Sequence, residues 1–199
     1  MIVLLAAMLI GQSNLAVIGP APAFSLTDQN GQSFGSERLK GRVVLVGFVY
    51  TTCGGVCPAT THKMYRIQEA LRREKLWGEK VQFVSISVDP ERDTPDVLAR
   101  YAATYDADTA SWHFLTGDSK NVSKVVSDWG MWARRNSEGV LDHPSRIFLL
   151  DSEGRIREIY SLEFLEPASV VADMRALLAE ARATDRTAPP APGAASRRN

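Results

Sequence analysis

Arg42-Val43-Val44-Leu45-Val46-Gly47-Phe48-Val49 is the stretch that decides the fold. An apolar run of this kind, without polar alternation, reads as a β-strand covered on both faces. After it, from about Val56 to Glu74, Met64, Ile67 and Leu71 recur at helical spacing, and Val81 to Val88 (VQFVSISV) reads as a second buried strand. Strand, helix and strand in that order make a βαβ unit with parallel strands.

The same alternation extends outward in both directions. Phe24 to Thr27 reads as a short strand entering the turn Asp28-Gln29-Asn30-Gly31. Thr94-Pro95-Asp96 reads as a helix start with a capping hydroxyl, a proline at the first helical position and an acid in the first turn. That helix carries Val97, Leu98, Tyr101 and Tyr105 on one face, and Trp112 to Thr116 follows as a strand. Asp118 or Ser119 can cap a helix bearing Val122, Val125, Val126 and Trp129, which Gly130 ends. Ser145 to Leu150 and Arg155 to Tyr160 flank Asp151-Ser152-Glu153-Gly154 as a hairpin, and a last helix from near Pro167 carries Val170, Val171, Met174, Leu177 and Leu178. The expected architecture is α/β, a central mixed sheet flanked by helices.

A chain of 199 residues has room for one domain, and 45% apolar with 23% charged residues is the composition of a globular one. Lys plus Arg equals Asp plus Glu at 23 each, so no overall field draws the chain to phosphate backbones, and nucleic acid is not an expected partner. Residues 1–18 open with an uncharged apolar run that reads as a signal-peptide core or a short membrane anchor, the alternative being a buried first element. Residues 184–199 hold Pro189, Pro190, Pro192 and Gly193 and read as a disordered tail. The domain proper is expected over 19–183.

The two cysteines, Cys53 and Cys57, fall directly after the central strand. At i,i+4 spacing on one helix face their Cβ atoms would lie about 5 to 6 Å apart, and the positive end of the helix favours thiolates. Gly54 and Gly55 between them suggest a flexible first turn that also allows disulfide distance. Among the histidines, a regular helix turns His62 roughly 140° from Cys57, away from both sulfurs. His113, between Trp112 and Phe114, has the neighbours of a structural residue. His143 stands in a loop, Leu141-Asp142-His143-Pro144, leading into a strand.

The run Tyr50-Thr51-Thr52-Cys53-Gly54-Gly55-Val56-Cys57-Pro58, then Ser85 to Pro95 (SISVDPERDTP), then Asp142-His143 before Ile147-Phe148-Leu149-Leu150-Asp151, resembles the SCO/SenC family. Thr27-Asp28-Gln29-Asn30-Gly31 and Leu115-Thr116-Gly117 match too, so the resemblance covers about residues 19–180. It implies a thioredoxin-like fold behind an N-terminal membrane anchor, on the outer face of the inner membrane or in the periplasm, or else in the mitochondrial intermembrane space. It also implies copper held by two cysteines and one distant histidine, which carry over to Cys53, Cys57 and His143. The family assists assembly of the binuclear copper centre of cytochrome c oxidase subunit II, by delivering copper or by reducing that subunit's cysteines, and another copper chaperone is a possible donor. Gly54 and Gly55 stand where the family usually has a proline and an acidic residue, and Pro144 after the histidine restricts His143 to extended backbone.

Soft thiolates select Cu(I), which accepts two or three ligands, whereas structural zinc wants a fourth. Asp142 is either an orienting partner of His143 or a turn residue. Asp89 and Asp93, at the carboxyl end of a parallel strand, serve either the site or the turn and cap. A thiol-disulfide oxidoreductase using Cys53 and Cys57 is the main rival reading, although three residues intervene where the common motif has two. A peroxiredoxin-type peroxidase is the third; Val46 and Tyr50 occupy the positions where that motif places proline and threonine.

Overall fold

The computed structural model describes residues 15–137 and 140–187. In chain order the elements are β1 (Gly19–Pro20), β2 (Ser25–Asp28), β3 (Ser33–Gly35), β4 (Val43–Val49), α1 (Val56–Arg73), β5 (Val81–Ser87), α2 (Pro95–Thr104), β6 (Trp112–Thr116), α3 (Ser119–Asp128), β7 (Arg134–Arg135), β8 (Leu141–Asp142), β9 (Ile147–Leu150), β10 (Arg155–Tyr160) and α4 (Pro167–Thr187). Eight strands form one sheet in the order β1-β10-β9-β4-β5-β6-β2-β3, and β7 and β8 form a separate ribbon.

β4 is central and all seven of its residues are buried, as its continuous apolar run requires. It pairs in parallel with β5, and β5 with β6, while β9 returns antiparallel on the other side. The parallel β4-α1-β5 unit beside the antiparallel β9-β10 hairpin and α4 is the thioredoxin-like arrangement expected above. Val44, Val46 and Phe48 join α3 residues Val122, Val125 and Val126 in one core. Val43 and Leu45 face the opposite side, against Met64, Ile67 and Leu71 of α1, Leu98 of α2 and Val170, Val171 and Met174 of α4. A buried side chain such as Leu45 or Met64, each at 0% exposure, contributes roughly 2 kcal/mol by leaving water.

Several local expectations are met and some are not. Asp118 caps α3 by accepting from the Asn121 amide at 2.9 Å, and Gly130 follows with φ +64°, a conformation only glycine adopts without strain. Thr94 occupies the cap position of α2, but its hydroxyl makes no capping bond. The fold begins earlier than residue 19. Arg157 donates to the Leu15 carbonyl at 2.6 and 3.1 Å, and Ile18 N–H to the Ile156 carbonyl at 2.8 Å. Residues 1–14 lie outside the described residues, and no described helix is long and apolar enough to cross a membrane. At the other end α4 runs to Thr187, four residues into the expected tail, and 188–199 lie outside the described residues.

Candidate metal centre

Cys53, Cys57 and His143 come together where β4 ends and α1 begins. α1 starts at Val56, so Cys57 sits in its first turn while Cys53 precedes it in a loop. The two cysteines therefore do not share a helical face as the spacing suggested. They meet because the loop folds the Cys53 sulfur over the helix start, where it accepts from the Cys57 amide at 3.4 Å. This gives the sulfur the place of a capping oxygen, at an end where helix N–H groups lack internal partners. Both cysteines are free thiols, Cys57 buried and Cys53 half-buried.

The surroundings split the two thiols. Burial pushes the Cys53 thiol up, but the amides of Cys57 and Gly55, the Cys57 thiol and the Tyr50 hydroxyl outweigh it, so its pKa lies below the usual value. Burial dominates at Cys57 and pushes that thiol up to about 12, with the neighbouring Cys53 adding to the rise. Cys53 is the more acidic thiol of the pair, and Cys57 holds its proton more tightly.

His143 follows β8 and reaches back across the sequence to Cys57, with Nε2 3.7 Å from its sulfur. Its Nδ1 lies 3.1 Å from the Pro144 carbonyl. A carbonyl only accepts, so Nδ1 carries the hydrogen and Nε2 presents its lone pair towards the sulfur. Burial lowers the imidazole pKa, which favours this neutral form. The orienting contact comes from the Pro144 backbone and not from Asp142, which is exposed at the end of β8.

The other candidates separate. His62 is exposed on α1 beside Tyr65, ring centroids 6.2 Å apart. His113 is buried in β6 against Phe34, with ring centroids 4.4 Å apart. Asp93 is fully buried and accepts from the Thr51 amide at 3.2 Å, the Thr51 hydroxyl at 2.5 Å and the Ser87 hydroxyl at 2.6 Å. It pins the loop that carries Cys53. Asp89 accepts from Arg92 at 3.0 Å and Arg135 at 2.9 Å, joining the end of β5 to the β7-β8 ribbon that leads to His143. Gly54 and Gly55 face open space, where an added Cβ meets nothing within 4 Å.

Sequence reasoning passed over Tyr50, which meets Cys53 through its backbone and His143 through its ring. Its carbonyl accepts from the Cys53 amide at 3.3 Å, and its ring stands edge-on to the His143 ring at 5.7 Å. Its place three residues before Cys53 was visible, but the direction of its side chain was not. Among the described residues, no three His, Cys, Asp or Glu side chains are gathered tightly enough to hold an ion as they stand. Cys57 nevertheless contacts both other ligands, and the set of two sulfurs and one imidazole lone pair is soft and suits Cu(I).

Known proteins resemble the chain over most of its length. The family model described as SCO1/SenC matches residues 16–179. An SCO2-like protein from Rickettsia prowazekii is 33% identical over 158 residues, spanning 76% of this chain and 73% of that one. The crystal structure of an SCO1/SenC family lipoprotein from Bacillus anthracis str. Ames is similar at TM-score 0.76 and 30% identity, covering 84% of this chain and 99% of that one. The structure of Bradyrhizobium japonicum ScoI with copper bound is similar at TM-score 0.68 and 31% identity, over 78% of this chain and 98% of that one.

Proposed function

The chain belongs to the SCO1/SenC family, and from that premise we propose that it is a copper metallochaperone whose ligands are Cys53, Cys57 and His143. The observation that carries this reading is the approach of His143 Nε2 to the Cys57 sulfur at 3.7 Å, across 86 residues of sequence. The copper held by the similar Bradyrhizobium protein supports it. The acceptor is the binuclear copper centre of cytochrome c oxidase subunit II. The chain works outside the cytoplasm, held at the membrane by residues before Leu15, and a second copper chaperone supplies the metal.

In this reading copper is cargo, and the protein's work is to capture and release it. Cys53, the more exposed sulfur and already the better thiolate, meets the ion first. Cys57 must give up its proton to bind, so uptake from a weakly buffered solution acidifies it. The neutral imidazole adds a third donor without any proton change, because Nε2 is already bare.

Titration of the reduced chain with Cu(I) and Cu(II) tests the assignment. One copper ion per chain is expected, and His143→Ala should weaken Cu(I) binding modestly while losing most Cu(II) affinity, since imidazole matters more to the harder ion. Unchanged Cu(II) binding in that variant would remove His143 from the site.

The unequal thiols also favour a second reading, reduction of a partner's disulfide, with Cys53 as the attacking sulfur and Cys57 resolving the mixed disulfide. Trapping a mixed disulfide at Cys53 in Cys57→Ser, with a copper-site domain as partner, distinguishes reduction from delivery.

A further inference from the structure

We infer that the end of the domain opposite the candidate metal centre is a docking face for anionic phospholipid head groups, formed by Lys40, Arg73, Lys75, Arg182 and Arg186. The inference rests on the membrane-held chain proposed above and says how that chain stands on its membrane.

Chain order brings these five residues to one end. β4 runs towards Cys53, so the loop that enters it, with Lys40, lies at the other end of the sheet. α1 starts beside Cys57 and returns along the sheet to the start of β5, which is parallel to β4, so its last residue, Arg73, and the following Lys75 reach that same end. β10 is antiparallel to β9 and β9 to β4, so β10 points the same way as β4. α4 turns back after β10, and Arg182 and Arg186 fall in its last two turns. The ion pair of Arg175 with Glu74 joins α4 to the end of α1.

All five residues are exposed, and among the described residues none has a carboxylate partner. Glu74, Glu79 and Glu153, which share this end, are already paired with Arg175, Lys80 and Arg155. The whole chain is neutral, with 23 basic and 23 acidic residues, so this end carries a local positive excess. At the metal end, by contrast, Arg92 and Arg135 are both held by Asp89.

The kind of anion follows from where the chain enters the fold. Arg157 grips the Leu15 carbonyl and Glu180 together, so the segment before Leu15 joins the domain beside the last turns of α4. That segment opens with ten uncharged apolar residues, Met1 to Ile10. An apolar segment and a basic face at one end suit an anionic lipid surface, whereas a nucleic acid would use only the second. The seven residues of β4 span about 23 Å. A domain seated on its basic end therefore lifts Cys53, Cys57 and His143 about that far from the head groups and turns them to the aqueous side.

The full chain is mixed with phosphatidylcholine vesicles, and with vesicles in which about one third of the lipid is phosphatidylglycerol, and the bound fraction is read by flotation. Binding to the neutral vesicles reports the apolar segment, and the gain on adding phosphatidylglycerol reports the basic face. Each basic side chain near the surface is worth about fivefold, so a gain of about 100-fold or more is expected at low salt, shrinking in about 0.5 M NaCl. The combined variant Arg73→Gln, Lys75→Gln, Arg182→Gln and Arg186→Gln should lose nearly all of the gain and keep its binding to neutral vesicles. Arg134→Gln with Arg146→Gln, which removes two exposed charges from the metal end, should keep the gain. On the anionic vesicles, amide exchange should slow over 72–78 and 180–186 and not over 51–57. No gain in the wild-type chain, a gain that the combined variant retains, or protection of 51–57 instead overturns the inference. Release of the chain by an equal charge of duplex DNA assigns the face to nucleic acid and overturns it too. A chain that binds anionic vesicles and ignores neutral ones refutes the anchor and leaves the basic face standing, while copper titration decides the ligands separately.

Discussion

His143 and His113 show how the same residue type is assigned opposite work by its surroundings. His143 ends a short ribbon, with one nitrogen held by a backbone carbonyl and the other turned to a sulfur. His113 is sealed between β5 and β2, its Nδ1 without a hydrogen-bond partner, and its pKa falls from 6.5 to about 4 because burial penalises the charged form and Arg38 repels it. The unfolded chain takes up this proton near pH 6.5 and the folded chain only near pH 4, so stability is full above 6.5 and falls as pH drops between those values. The loss should approach about 3 kcal/mol by pH 4. His143, also lowered by burial, acts in the same direction. Urea unfolding of wild type and His113→Gln at pH 7 and pH 4.5 isolates the part due to His113. A pH dependence identical in the two would show that His113 does not titrate in this window.

At the scale of elements, the site depends on the β7-β8 ribbon, which the main sheet does not hold. The ion pair of Arg135 with Asp89 ties β7 to the loop after β5, and Arg92 shares the same carboxylate. Asp89 is only 3% exposed, so its removal leaves two guanidinium groups without their acceptor. Asp89→Ala should cost about 2 kcal/mol, discounted because both arginines reach solvent. It should also increase amide exchange over 134–142 relative to β4, and weaken copper binding through His143 while both thiols react as before. Unaltered exchange in the ribbon would show that other contacts hold it. The ribbon was not legible in the sequence. Two-residue strands carry no periodicity, and the signal that was present, Asp142-His143 before a strand, located the histidine but not what it faces.

Across the whole molecule, Arg157 joins the three parts least connected in sequence. It is 5% exposed on β10 and pairs with Asp151 at 3.0 Å and with Glu180 of α4 at 2.9 Å, while holding the Leu15 carbonyl. Breaking such a buried pair leaves uncompensated charge, so Arg157→Ala should cost about 3 kcal/mol and lower Tm by about 10 °C. Because β9 separates β10 from β4, the strand that leads to the cysteines, the copper stoichiometry of the folded variant should match wild type at 25 °C. A variant that unfolds at the wild-type temperature would show that burial in the sheet and α4 suffices without this network.

The sequence by itself determined the layered α/β arrangement, because strands buried on both faces and amphipathic helices announce themselves by local hydrophobic period. It also singled out Cys53 and Cys57 as the candidate site, because both follow the central strand directly. Only the tertiary structure decided that Cys53 lies before the helix and not on its face, since a loop containing Gly54 and Gly55 has no preferred path until Asp93 pins Thr51 from 42 residues away. It alone placed His143 against Cys57, set the Tyr50 ring against His143, and gave the orienting contact to Pro144 instead of Asp142. The division has one physical reason. Period and spacing report which face of an element leaves water, whereas a site depends on the direction of individual polar groups, and that is fixed only when distant segments are packed together.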